Sequence, residues 1–212
     1  MSEPKIRDVV ESPDERPAVP GLSWAEIARF CNWVSQKEAL PRAQWCYEDD
    51  DDGGIRPKDG WEFLTGYRLP TEAELEYAIR AGAATSRFFG EGEELLERYA
   101  WFAQNSGPDK KPHRVAELRP NDFGLFDALG DCFVLANDQL LDDSGRAMTI
   151  YLGGAYFTQP GSLRSANRKM TPADIREIGL NGWRLVRTIP ERSALSLART
   201  GLETLTATER RH

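Results

Sequence analysis

GYRLPTEAELEYAIRAG, residues 66–82, decides how the rest of the chain is read. Thr71 followed by Glu74 is a capping box. The hydroxyl accepts a free backbone N–H of the first turn, and the carboxylate accepts the cap residue's own N–H. Leu69 or Pro70 packs toward Leu75 as the staple that fixes the entry angle. Leu75, Ala78 and Ile79 then share one helical face, and Gly82 closes the helix in the left-handed region that favours glycine. The same grammar stands upstream in GLSWAEIARFCNWVSQKEAL, residues 21–40. Ser23 and Glu26 form the box, Leu22 and Ile27 the staple, and Ile27, Phe30, Cys31 and Val34 the apolar stripe. The spacing predicts a helix over 24–37.

Downstream of residue 83 the pattern changes. Glycine, proline and asparagine punctuate short apolar runs: SRFFGEG, YAWFAQNSG, HRVAEL, FGLFDALG, CFVLAND, MTIYLGGAYF and GWRLVRT. These predict short strands joined by long irregular loops. Two early helices followed by short strands give an α+β class. Residues 1–20, rich in proline and charge, are expected to be extended. Residues 21–190 form the domain. Residues 191–212 are a tail whose helical reading is weakened by Gly201 and the threonines.

The 212 residues carry 27 basic and 34 acidic side chains, a net charge of -7. That balance argues against nucleic acid, whose phosphates demand a basic face. No apolar stretch is long enough for a membrane span, and the charged N-terminus lacks the apolar segment of a secretory signal. The three cysteines, Cys31, Cys46 and Cys132, have no CxxC spacing, which suits a reducing cytoplasm better than a disulfide framework. With only two histidines, His113 and His212, a three-histidine metal centre is excluded within this chain. YEDDDDGGIRPKDG, residues 47–60, lacks the alternating ligands and terminal glutamate of a calcium-binding loop, and this loop is expected to be a solvated acidic turn.

Taken in order, SWAEIARFCNWVS, GYRLPTEAELEYAIRAG, YAWFAQNSG, RPNDFGLFDALGD, LGGAYF, and RSANR followed by GWRLVRT resemble the formylglycine-generating-enzyme, or sulfatase-modifying-factor, domain family over about residues 18–190. The resemblance implies a C-type-lectin-like fold: two helices, a small twisted antiparallel sheet, and long loops that carry the ligand surface. It also implies that the family's usual N-terminal strand is missing, which would leave an open sheet edge. That edge would be covered by the tail or by an oligomer or partner subunit.

Catalytic members of the family hold copper with two cysteine thiolates, soft ligands that select Cu(I). Laid onto GGAYFTQPGSL, residues 153–163, those two positions are Thr158 and Leu163. Neither side chain binds copper. Relatives read GNVWEW where this chain has Gly130, Asp131, Cys132, Phe133, Val134 and Leu135. The glutamate that ligates a structural calcium in some members is here Val134. Phe133 and Leu135 still suit a core. The iron-dependent relatives take their metal from histidines of an additional helical domain. No cofactor and no metal is therefore expected, and the resemblance points to a non-catalytic module that binds an unidentified protein or small ligand. The alternative is an oxidoreductase of the same family with an altered metal site. A third is a structural subunit completed by another chain. Some blocks also resemble domains attached to bacterial signalling kinases, which implies a sensor or docking role.

The resemblance places the ligand-facing surface between about Tyr151 and Trp183. Some members of this fold are the variable proteins of diversity-generating retroelements, diversified in such a C-terminal stretch. Gly153, Gly154, Arg164, Ser165, Arg168, Arg184 and Leu185 resemble scaffold. Tyr151, Tyr156, Thr158, Gln159, Lys169, Met170, Ile175, Glu177 and Asn181 are the candidate ligand-binding residues, since rigid rings and adaptable amides suit protein recognition. Tyr156 and Phe157 serve equally well as core. Asp127 and Asp131 are expected to cap N–H groups in turns. The three arginines are expected to brace loops. His113, among lysines and arginine, is expected to be an exposed loop residue. The six tryptophans are expected to be mainly core.

Overall fold

The computed structural model describes residues 22–109, 111–173 and 181–190. Helix α1 spans Trp24–Lys37, the predicted bounds, and its capping box is formed in full by Ser23 and Glu26. Ile27, Ala28 and Cys31 are buried on its inner face, while Phe30 and Val34 are only half-buried. A hairpin follows, β1 (Tyr47–Asp49) and β2 (Ile55–Pro57). The acidic residues thus form the expected exposed turn, here at the tip of a hairpin. Asp50 Oδ1 accepts the N–H groups of Asp52 and Gly54 and closes the turn.

Strand β3 (Tyr67–Arg68) leads into α2 (Glu72–Arg80). The second capping box forms as expected between Thr71 and Glu74. The left-handed stop begins one residue early, at Ala81 with φ 49°, and continues through Gly82. Arg68 then places a bidentate fork on Glu74, 2.6 and 2.7 Å, so the residue that closes the box also anchors the preceding strand.

After a single-turn helix α3 (Leu96–Tyr99), strands β4 (Ala100–Trp101) and β5 (Leu129–Gly130) pair in parallel. The main sheet contains β6 (Phe133–Leu141), β7 (Ala147–Leu152), β8 (Arg168–Pro172) and β9 (Asn181–Gly182), in the order β8-β7-β6-β9. Its three long strands are antiparallel, and β9 adds a short parallel edge. Last, β10 (Val186–Arg187) returns to pair with β3.

The sheet is a wall between two apolar compartments, because alternate strand residues face opposite ways. Phe133, Leu135 and Tyr151 join Trp24, Ile27, Cys31, Cys46, Tyr47 and Leu69 on the α1 side. Val134, Ala136, Ile150 and Leu152 join Leu75, Ile79, Phe88, Phe102 and Leu163 on the α2 side. Between Leu135 and Gln139 the register of β6 shifts by a bulge. The bulge re-aims two residues. Asn137 accepts the Tyr47 hydroxyl at Oδ1, 2.8 Å, and the Trp24 indole at its carbonyl, 3.2 Å. Asp138 accepts the N–H of Glu72 and gives α2 a second cap. Arg168 on the edge strand β8 clamps Glu72 and Glu76 of α2.

Candidate functional site

The turn after β7 is built on Gly153 and Gly154, both with φ positive, 89° and 79°. Gly154 has a steric reason beyond its dihedral. A Cβ there would lie 2.5 Å from Leu163 Cδ2 and 3.4 Å from Thr158 Oγ1. The two positions that the family resemblance assigns to copper thiolates are therefore neighbours across Gly154. Their chemistry is committed elsewhere. Thr158 Oγ1 accepts the Ala155 N–H at 2.9 Å and closes the turn. Leu163 is fully buried in the α2-side core. A hydroxyl engaged by backbone and a packed hydrocarbon do not fit a soft cation.

The remaining thiols do not supply a substitute. Cys31, Cys46 and Cys132 are all buried and free. Burial pushes the Cys46 thiol up to about 11 and the Cys132 thiol up to about 12, the latter with help from Asp131 and Asp127. Burial raises Cys31 further. Thiols so held remain protonated, whereas metal ligation and nucleophilic attack need thiolates. Among the described residues no group of three or more His, Cys, Asp or Glu side chains is placed to hold a metal ion. Val134, at the position of the calcium-ligating glutamate, is buried in the α2-side core, so that site also loses its hard-oxygen ligand.

The candidate binding residues separate into distinct environments. Tyr156 and Phe157 form an edge-to-face pair at 5.2 Å, and Phe157 leans on Phe133 at 6.2 Å. Lys169 Nζ lies 5.2 Å from the centre of the Phe133 ring. Tyr156, Phe157 and Lys169 thus share one surface, with Phe133 as its floor. Gln159 is exposed at the start of the short 160–162 turn. Met170 is exposed but adjoins Lys169 on a strand, so it faces the other side of β8. Three candidates need correction as outward residues. Tyr151 is buried on the α1 side, Thr158 is buried in closing the turn, and Asn181 is buried where β9 pairs with Phe133. Ile175 and Glu177 lie outside the described residues.

Phe157 and Phe133 belong to this surface although the sequence favoured neither as a contact residue. Phe133 occupies a position where relatives keep tryptophan; it is buried in the α1-side core as that position suggests, and Phe157 and Lys169 lie over it. The scaffold arginines act as expected. Arg184 donates to the carbonyls of Phe126 and Asp127, 2.6 and 3.0 Å, and Arg164 donates to Gly161 at 2.8 Å.

His113 is not a free loop residue. Its ring stacks flat on Trp101, centroids 3.9 Å apart and planes within 5°, and its Nδ1 lies 3.2 Å from Asp131 Oδ1. Asp131 also accepts the His113 backbone N–H at 2.7 Å, and Asp127 accepts the Ala116 N–H at 2.8 Å. Both aspartates therefore cap N–H groups. Burial nevertheless raises the Asp131 carboxyl above the ordinary range. Sequence gave no sign of the stack, because its partners are distant in the chain.

Among the described residues no helix is long and apolar enough to cross a membrane. Solved structures share this arrangement. "Treponema denticola variable protein 1" matches with a TM-score of 0.69 and 25% identity, over 83% of this chain and 73% of that one. CarF matches at 0.67 and 27%, over 84% of this chain and 70% of that one. PvdO from Pseudomonas aeruginosa, at 0.61 and 19% over 84% of this chain and 64% of that one, is alike in fold alone. The "Chaperone protein LppX" of Paenibacillus barcinonensis is 30% identical over 141 residues, 56% of this chain, and the match spans only half the length of that relative. The fold is the C-type-lectin-like one of formylglycine-generating enzymes. The model of the sulfatase-modifying factor enzyme 1-like domain matches residues 2–189, and the chain belongs to that family.

Proposed function

We propose that this chain is a non-catalytic recognition module that binds a protein or small ligand through the turn 153–163 and the adjoining face of β8. One observation carries the reading. Thr158 and Leu163 stand together across Gly154, yet one is tied to backbone and the other is packed in the core. Beside them Tyr156 and the exposed Phe157 present aromatic rings, a residue class enriched at interface cores, flanked by Lys169. The structural neighbour named a variable protein is compatible with a scaffold that carries changeable surface residues. The chaperone name of LppX is compatible with binding a partner.

Two measurements test the reading. Purified chain supplied with Cu(I), oxygen, a thiol reductant and a cysteine-containing peptide should yield no formylglycine; product formation would make it an oxidoreductase with an altered site. A photo-crosslinking amino acid at Phe157, introduced in the source cells, should give a discrete adduct. The same group at the highly exposed Phe63 should not, and equal labelling at both positions would remove the turn from consideration.

A further inference from the structure

We propose that Arg87 is the positioning residue of the recognition turn, fixing from outside the ligand-facing stretch the backbone on which Gln159 is presented. The proposal rests on the recognition reading above and adds to it a residue 73 positions away from the carbonyl it holds. Arg87 is 3% exposed, and its guanidinium joins two segments. Nη1 donates to the Glu91 carbonyl at 2.7 Å, and Nη2 donates to the Pro160 carbonyl at 2.8 Å. The Pro160 carbonyl also accepts the Leu163 N–H at 3.0 Å, so the same oxygen closes the short 160–162 turn. Further along, the Ser165 N–H donates to the Ser86 carbonyl at 2.8 Å. Loop 86–93 therefore grips the far half of the turn at two points.

Gln159 lies between two clamped carbonyls. On its near side the Thr158 carbonyl accepts the Ala103 N–H at 3.1 Å. On its far side stands Pro160, held by Arg87. The backbone of Gln159 is fixed from both sides while the residue stays exposed. The Tyr156 and Phe157 half of the surface has separate anchors. Tyr156 donates its N–H to the Asp131 carbonyl at 2.8 Å, and its own carbonyl accepts the Ser106 hydroxyl at 2.8 Å. Arg87 therefore acts on one half of the surface and not on the other.

The latch has a rigid footing. Arg80 of α2 donates to the Thr85 carbonyl at 3.0 Å, and the Thr85 hydroxyl donates to the Arg87 carbonyl at 2.6 Å. The task also calls for a guanidinium. Its planar fork reaches carbonyls of two segments at once, whereas a lysine ammonium is a single point on a flexible stem. Glu93, whose side chain is largely exposed, approaches Nη2 at 3.4 Å, so the shorter bonds to the carbonyls carry most of the hold.

Hydrogen exchange of the whole chain tests the latch. In Arg87→Lys the Leu163 and Ser165 amides should exchange about tenfold faster, the size expected on losing a hydrogen bond from a charged donor. The Gly130 and Tyr156 amides, which bond to the Gly153 and Asp131 carbonyls, should keep their rates. Equal acceleration of all four would reveal a general loss of stability and overturn the assignment. Should Arg87→Lys not fold, Glu93→Ala removes only the exposed carboxylate beside the fork and should give the same pattern at about twofold. No selective change in that variant would equally overturn it. A photo-crosslinking amino acid at Gln159, introduced in the source cells, separates the proposal from the reading beneath it. The otherwise unaltered chain should give a discrete adduct, and Arg87→Lys should reduce it severalfold while the adduct formed from Phe157 persists. No adduct from either position in the unaltered chain would sink the recognition reading and the positioning role with it. An adduct from Gln159 of undiminished yield in Arg87→Lys would overturn the positioning role alone.

Discussion

At the scale of single residues, Gly154, Thr158 and Leu163 show how a site is closed by substitution. Gly154 has both a positive φ and a crowded Cβ direction. Gly154→Ala is expected to cost about 1–2 kcal/mol for the left-handed backbone, with about 1–3 kcal/mol more for overpacking against Leu163. Leu163→Ala should cost about 2–5 kcal/mol, since a fully buried leucine is removed from a packed core. Urea unfolding checks both. Thr158→Val would leave the Ala155 N–H unpaired and should cost about 1–3 kcal/mol, well beyond the effect of losing one exposed hydroxyl. The identities of Thr158 and Leu163 were legible as non-ligands from sequence, because side-chain chemistry alone decides what a soft metal accepts. Their contact across Gly154 was not, since it depends on how the turn folds. The burial of Tyr151 and Asn181 escaped for a related reason. A strand residue's face is set by register, and no local signal fixes which parity turns inward when both faces of the sheet are covered.

At the scale of elements, helices announce themselves and sheets do not. The two capping boxes were readable because they are complete within four residues, and the ends they predict are where α1 and α2 begin. The acidic hairpin was missed because strands β1 and β2 are only three residues each and carry little alternation. The β6 bulge had no signature at all, yet it places Asn137 and Asp138 where they tie the sheet to both helices. The join between β3 and α2 gives an electrostatic prediction. The Arg68 fork holds the Glu74 carboxyl below the ordinary carboxylate range. A depressed folded-state value stabilises above the unfolded pKa and is lost as pH falls through the folded one. Glu74→Gln keeps the capping box chemistry but has no proton to gain. Its urea midpoint should therefore start lower than wild type at neutral pH, and the gap should shrink as the solution is taken below about pH 4. A gap that widens on acidification would show that Glu74 is not so held.

At the scale of the whole molecule, the edge strand β8 carries Arg168, Lys169 and Pro172, residues that discourage strand addition. That edge is therefore partly guarded by its own side chains, and Arg168 is further engaged by α2. The chain also closes on itself where β10 meets β3. Arg187 lies over Tyr67 at 5.3 Å and reaches Glu38 at 3.3 Å, joining residues from three distant parts of the sequence. Removing that side chain by Arg187→Ala should cost about 1–2 kcal/mol, combining a cation–π contact and a partly exposed ion pair. Loss of protection in β3 measured by hydrogen exchange would accompany it.

The partition of the sheet into two compartments also bears on how such a chain can change over generations. Neighbours on β6 answer to different neighbourhoods, Phe133 and Leu135 to one, Val134 and Ala136 to the other. Innovation at Phe157 or Lys169 is therefore insulated from the packing that α2 supplies. Paired replacements on opposite sides, such as Ile27→Val with Ile79→Val, should add to within about 0.5 kcal/mol. Each flank of the sheet can therefore be repacked while the other keeps the chain folded.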